Sequence, residues 1–576
     1  MKIKKYFAMM LLMASTSLAF IGCSDDDNLG EAPRLFRPVA SLDAQKNNLV
    51  VTWSKIPGAT EYSLTLFKAV DMQPDGTYSA VKYKEATTSD VSYTFDNLEW
   101  DEKYGITISC KNDTKGSEEY KTPLTTINYP SKLSKVKTID NAARLTWVNT
   151  ASSSDVIKAI VAIPEGSTSE EDRIVKTVKE EEDLEGSFDV LGLKPATAYT
   201  FYAYKDAEVF DNTTYAGKLS ATTSEQSDFD TQYGGNYIDI RNWDPEEAAD
   251  TLKSPEFAAM LKEGITVILR GEQDYKVNNT VVFDKSVNFV TGPTLGGNAR
   301  FISSGGMQCA KGANVARISF KDIDFYSDKA LGDNAVATNT DKGFGGRQVF
   351  NENGTSSTLG EILFKGCHIE GYRAVVRAQA ANDNINKVTF DGCVINGIGD
   401  QGIVTTNNKK SELQEISFTN STLTNIVMVC DLRSTASAPS LNVTNCTFCY
   451  APMETTENAN TPLFRLGSNA VKLNISNTLF GPSMASEGSA GSTIITNTAG
   501  TAGSIFVDNQ DAEISSPHSY MTNFQWTVVK DKTYPISTLI GTGMSETELW
   551  TDPANGNFRI NKSVGEDGIG DPRWFN

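Results

Sequence analysis

Four short stretches carry most of the chain's chemically useful side chains in one repeating arrangement: VVRAQ (375–379), IVTTN (403–407), VCDLR (429–433) and LFRLG (463–467). Laid over one another as strands, whose alternate side chains face opposite ways, they put Val376, Val404, Cys430 and Phe464 inward, with Ala378, Thr406, Leu432 and Leu466. Two outward columns remain: Arg377, Thr405, Asp431 and Arg465 in one, Gln379, Asn407, Arg433 and Gly467 in the other. With strands stacked about 4.8 Å apart, this polar stripe has the length of a few sugar units. Sugar hydroxyls need paired donors and acceptors, and a uronate carboxylate suits the bidentate fork of arginine. The stripe therefore points to carbohydrate binding through Arg377, Gln379, Thr405, Asn407, Asp431, Arg433 and Arg465, with Tyr372 and Phe350 as candidate aromatic platforms. The competing reading is a solvated sheet face on which Asp431 forms surface ion pairs of little energy.

Such a stripe requires coils stacked in register, and the sequence supplies a repeat that would build them. ISFKDIDFYS (318–327), ILFKGCHIEG (362–371), VTFDGCVING (388–397), ISFTNSTLTN (416–425), LNVTNCTFCY (441–450) and LNISNTLFGP (473–482) each read as an apolar strand, a polar corner and a second strand. Repeats of this length with almost no helix between them predict a parallel β-solenoid. Ile323, Cys367, Cys393, Ser421, Cys446 and Thr478 fall in one column, an inward ladder of mostly small side chains. The preceding column holds Asp322, Gly366, Gly392, Asn420, Asn445 and Asn477, residues that tolerate a left-handed corner and can stack their amides from coil to coil. Residues 264–292 supply the first coils, and the solenoid is expected to run to the end of the chain, over 264–576.

The N-terminal part follows a different pattern. Residues 36–128 and 131–223 show short alternating strands between turns. Trp53 and Trp147 stand as core anchors, and each segment has a leucine six residues before a tyrosine, Leu98 to Tyr104 and Leu193 to Tyr199. Both segments resemble fibronectin type III sandwiches, a resemblance that implies a corner hydrogen bond from each tyrosine hydroxyl and a role as spacer or docking surface. Between them and the solenoid, residues 224–263 hold a linker and a helix with Asp244 as N-cap, Pro245 at its first position and Gly264 as its stop, placed to cap the first coil.

Composition narrows the function. The formal charge is −20, with no basic block along the mature body, so nucleic acid is not an expected partner. Two histidines, His368 and His518, leave almost no material for His-ligated zinc or a serine triad. Eight cysteines include Cys23; the seven others, an odd number that forbids a complete disulfide framework, read mostly as buried thiols. Lys2, Lys4 and Lys5 precede the apolar run 6–21, which is shorter than the roughly 20 residues of a spanning helix, so residues 1–22 read as a signal peptide.

Phe20-Ile21-Gly22-Cys23 resembles the lipobox of bacterial lipoproteins, with an unusual Phe at its first position, and the following Ser24-Asp25-Asp26-Asp27 resembles the surface-export signal of Bacteroidetes lipoproteins. That resemblance implies acylation of Cys23, an acidic tether over 23–35, and an outer-membrane protein anchored by lipid alone and facing outward. The whole chain resembles uncharacterised Bacteroidetes polysaccharide-utilisation lipoproteins: all-β, two fibronectin type III-like sandwiches followed by a right-handed parallel β-helix of the pectate-lyase-like superfamily with a short N-terminal capping helix. The resemblance implies binding or presentation of a polysaccharide, with an outer-membrane glycan transport complex as a further partner. The alternatives are a lyase acting on a uronate glycan, or a protein adhesin. In a lyase, Arg377, Arg433 or Arg465 would be the base, and Asp383, Asp400 or Asp431 could hold calcium. No motif of the pectate lyases aligns residue for residue, and Asp431 is the stripe's single carboxylate, which speaks against hydrolysis by a carboxylate pair.

Overall fold

The computed structural model describes residues 34–149, 155–328, 347–354, 356–406, 409–453, 461–486, 495–496, 506–526, 528, 530–564 and 568–575. Cys23 and the tether as far as residue 33, and Asn407, lie outside the described residues. Among the described residues, no helix is long and apolar enough to cross a membrane.

Two β-sandwiches come first. In one, Ala40–Gln45, Asn48–Trp53 and Ser92–Phe95 face a sheet of Ser79–Thr88, Glu61–Val70, Glu102–Lys111 and Tyr120–Lys121, with Thr125–Ile127 also paired to Glu102–Lys111. In the other, Ser187–Leu191, Ala142–Trp147 and Leu133–Thr138 face Ile174–Thr177, Ala159–Pro164, Ala198–Tyr204 and Tyr215–Thr222. Trp53 and Trp147 are buried in the respective cores, as alternation requires. Both corner tyrosines accept the expected bond: Glu99 N donates to Tyr104 Oη at 3.1 Å and Lys194 N to Tyr199 Oη at 3.0 Å. The modules are docked rather than loosely strung, since Tyr215 Oη donates to Asp101 Oδ2 at 2.6 Å and Lys218 pairs with Glu102 at 2.9 Å.

The remainder is a parallel β-solenoid of about eight turns. A ten-stranded parallel sheet runs from Tyr237–Asp239 to Glu513–Ser515, so its first strand precedes the expected start at 264. The second and third strands of each coil form a larger sheet around the same core. Phe320, Phe364, Phe390 and Phe418 stack one above another inside it, with ring centroids 5.3, 5.0 and 4.9 Å apart. The expected corner column holds at every position: Asp322, Gly366, Gly392, Asn420, Asn445 and Asn477 all have positive φ. Asn445 Nδ2 donates to Asn420 Oδ1 at 3.0 Å, a rung of the expected amide ladder. The small-residue column is buried throughout, and the seven described cysteines are free thiols.

The capping helix differs from expectation. It is broken into Pro245–Ala249, a 3-10 turn Thr251–Lys253 and Pro255–Met260. Asp244 caps it as expected, donating no bond but accepting from Glu246 N and Glu247 N. The break follows from Ser254-Pro255: proline lacks an N–H and drives the preceding residue out of the helical region, and Ser254 is extended and caps the next turn. The pieces still cover the open coil, because Ala248, Leu252 and Phe257 join the core of Val267 and Tyr275. At the other end, residues 545–564 and 568–575 leave the solenoid and fold back along its second-strand face, with Asp571 accepting from Thr422 Oγ1 at 2.7 Å and Asp571 N donating to Thr447 Oγ1 at 3.0 Å.

Candidate functional site

The third strands stack in the register expected from alternation. Arg377 lies opposite Thr405, Thr405 opposite Asp431, and Asp431 opposite Arg465. The inward partners Val376, Ala378, Val404, Thr406, Cys430, Leu432, Phe464 and Leu466 are all buried. Asn351 extends the column by one coil beside Arg377. In the second column Gln379 accepts from Asn351 Nδ2 at 2.8 Å, and a side chain at Gly467 would sit 3.2 Å from Arg433 Cα, so these two positions are immediate neighbours.

The stripe divides into two chemically different halves. In the lower half, Asp431 is taken: Arg433 grips it with Nε to Oδ1 at 2.8 Å and Nη2 to Oδ2 at 2.7 Å, and Arg465 Nη1 stands 3.6 Å from Oδ2. This bond to Asp431 holds the Arg433 guanidinium above its ordinary pKa, which removes Arg433 as a candidate base. It equally satisfies Asp431, which is no longer an open calcium ligand. Thr405 is 5 % exposed and donates to the Asp431 carbonyl at 3.4 Å, so it lines the stripe without presenting a free hydroxyl.

The upper half holds Arg377. Its guanidinium is half-buried, its Nε makes no hydrogen bond, and among the described residues no carboxylate pairs with it. Burial, and then the neighbouring Arg373 cation, push its pKa below the ordinary arginine value. Arg373 itself is held bidentately by Asp400, at 2.7 and 3.0 Å. Arg377 is therefore a half-buried cation beside the paired Asn351 and Gln379 amides, and an anion there would stabilise it.

Two other expectations are corrected. Asp400 is committed to Arg373 and Asp383 is fully buried inside the coil, where Ser357 Oγ donates to its Oδ1 at 3.1 Å; neither faces Asp431 across an open site. Among the described residues, no three acidic, histidine or cysteine side chains converge as a metal site. Tyr372 and Phe350 are fully buried, Tyr372 donating to Ser303 Oγ at 3.0 Å, so neither offers a platform.

One acidic residue was missed. Val507 pairs with Phe464, which sets Asp508 beside Arg465 as the next member of the outward column. Its Oδ1 accepts from Leu466 N at 2.6 Å and Gly467 N at 3.1 Å, and burial raises its carboxyl above the usual range despite these bonds. The signal was present in IFVDN (505–509), where an inward apolar residue precedes an aspartate as in Cys430-Asp431, but the long insertion before it hid the repeat.

No family model matches the chain, and no curated protein matches it. Solved structures do. A two-module fibronectin type III segment of chicken tenascin is 15% identical, with a TM-score of 0.14, covering 32% of this chain and 97% of that one. The first to third fibronectin modules of chicken CNTN1 are 15% identical, with a TM-score of 0.14, over 34% of this chain and 65% of that one. The twitchin kinase region of C. elegans, which includes a fibronectin module, is 16% identical over 17% of each chain, again at 0.14. The class of the protein is thus defined by its own strand order: a pair of fibronectin type III-like sandwiches joined to a parallel β-solenoid.

Proposed function

We propose that the third-strand face of the solenoid binds an acidic polysaccharide, with Arg377 receiving a uronate carboxylate and Asn351, Gln379 and Arg465 meeting hydroxyls of neighbouring units. The observation that carries this reading is Arg377: a half-buried guanidinium without a carboxylate partner among the described residues. A buried cation is costly unless paired, and arginine's fork matches a carboxylate. The leader and Cys23 fit a lipid-anchored protein on the outward face of an outer membrane, with the sandwiches carrying the solenoid away from the bilayer and toward a glycan transport complex.

Arg377 also favours a second reading. An arginine whose pKa is lowered by burial and by a neighbouring cation is the one candidate in the stripe suited to abstract a proton, as a uronate lyase requires. One experiment separates the two. The mature protein is run through gels containing polygalacturonate, alginate or a neutral glucan, and the same mixtures with calcium are followed by the ultraviolet absorbance of unsaturated uronate. Retardation by the acidic polymers that is lost in Arg377→Ala, without absorbance, supports binding. Absorbance that disappears in Arg377→Ala and Arg377→Lys makes it a lyase. Silence in both overturns the glycan reading and leaves adhesion to protein.

A further inference from the structure

The second-strand face of the solenoid carries a separate cleft. Its outward column runs Tyr326, Glu370, Asn396 and Thr424 on successive coils. The folded-back C-terminal segment covers the same face further along, where Trp574 Nε1 donates to Thr422 Oγ1 at 2.7 Å. Where that cover ends, the hairpin residues Ala554, Asn555 and Gly556 stand over His368, Glu370, Asn396 and Asn425 and enclose about 370 Å³. This volume falls at the lower end of the range for small-ligand sites.

The groups lining it are arranged rather than scattered. His368 Nε2 lies 2.7 Å from Glu370 Oε2, and the Tyr326 ring lies against the imidazole at 5.4 Å, which fixes its orientation. Asn425 Nδ2 donates to Asn396 Oδ1 at 2.8 Å, leaving Asn396 a free amide donor and Asn425 a free acceptor on the same wall. Behind them the Thr424 hydroxyl is buried without a partner. Val394, Ala554 and Phe558 add apolar surface. None of the lining residues is Lys or Arg, so the cleft is unsuited to the uronate or phosphate that Arg377 would attract.

We infer that this cleft is a second glycan site, one that takes a single neutral pyranose unit. A carboxylate beside an amide donor chelates a vicinal diol, the Asn425 carbonyl oxygen and Asn555 accept or donate to further hydroxyls, and the small apolar wall suits the C–H face of the ring. The site rests on no part of the acidic-polysaccharide reading: it uses another sheet face, another set of side chains and no arginine or lysine.

The test uses the mature protein and saturation-transfer NMR with methyl glucoside, methyl galactoside, methyl mannoside, methyl xyloside and, as the charged control, methyl glucuronide. Signal from at least one neutral glycoside is expected, weakened roughly tenfold in Glu370→Gln by loss of a charged hydrogen bond and unchanged in Arg377→Ala. Asn555→Ala, on an exposed hairpin turn that the core does not need, is expected to weaken it as well. No signal from any neutral glycoside, or signal that survives both Glu370→Gln and Asn555→Ala, overturns the inference; a response to methyl glucuronide alone, lost in Arg377→Ala, overturns it while supporting the acidic stripe.

Discussion

Arg241 and Asp140 form a bidentate ion pair, Nη1 to Oδ1 at 2.8 Å and Nη2 to Oδ2 at 3.1 Å, with side chains only 4% and 5% exposed, and it joins the second sandwich to the first coil of the solenoid. Around it, Arg144 pairs with Glu272 at 2.6 Å and Lys137 Nζ donates to the Leu295 carbonyl at 2.8 Å. A spacer built this way holds the solenoid at a set angle instead of swinging it on a flexible linker.

Breaking that pair should be felt. Asp140→Ala leaves Arg241 buried with Asp239 as its remaining partner, and the loss of one member of a buried pair costs about 3–5 kcal/mol. We expect a lowered melting transition and a broader distance distribution in small-angle scattering. Burial alone would raise the Asp140 carboxyl, but the hydrogen bonds and charge of Arg241 outweigh it and hold its pKa below the ordinary value. The pair's contribution is therefore present above the carboxylate's unfolded pKa of about 3.9 and is lost as pH falls through the lower folded value. The wild-type interface should stay closed at pH 5 and loosen only in stronger acid.

Asp431 offers a sharper test of the stripe. Because it neutralises Arg433 and Arg465, Asp431→Asn should free two cations and increase retardation by polygalacturonate severalfold, with a steeper salt dependence. If Asp431 instead held calcium or took part in chemistry, the same substitution would reduce binding or turnover. Gel mobility across a salt series distinguishes these outcomes.

The register of this stripe was legible from sequence because two independent columns constrained it. The left-handed corner at Asp322, Gly366, Gly392, Asn420, Asn445 and Asn477 fixed where each coil turns, and strand alternation did the rest, since a slip of one residue would have driven Arg377 inward and Val376 out. Charge pairing was not legible. Arg433 and Asp431 are two apart on one strand and so share a face, which sequence gives; that Arg433 folds back to seize both oxygens, while Arg377 finds no carboxylate among the described residues, depends on side-chain rotamers and the distance to the next acid. Burial of Asp383 escaped for a related reason, because it lies at a corner where alternation no longer says which way a side chain points.

The corner tyrosines predict equal effects in two domains of unrelated surface. Tyr104→Phe and Tyr199→Phe each remove the acceptor for one backbone N–H, Glu99 in the first sandwich and Lys194 in the second. Each should cost about 1–2 kcal/mol. Chemical unfolding followed by tryptophan fluorescence should register each loss in its own module.

The coil also buries a pair of acids. Glu352 and Asp383 are both fully buried on adjacent coils and share the Ser357 hydroxyl, which lies 2.7 Å from Glu352 Oε1 and 3.1 Å from Asp383 Oδ1. One hydroxyl has one proton to give, so Ser357 Oγ can donate to only one of the two at a time, while Ser357 N donates to Asp383 Oδ1 at 3.2 Å. Burial raises the Glu352 pKa, opposed by the Cys309 N–H that donates to Oε2 at 3.0 Å. A raised folded pKa means that the folded state holds a proton that the unfolded chain has released above about pH 4.3; solenoid stability should therefore fall as pH rises from that value toward the folded pKa. Ser357→Ala removes the shared hydroxyl, leaves both acids under-satisfied, and should cost about 1–3 kcal/mol. Melting curves of wild type and Ser357→Ala at pH 5 and pH 8 measure both effects; a wild-type melting point that rises between those two values would mean that Glu352 folds as a carboxylate.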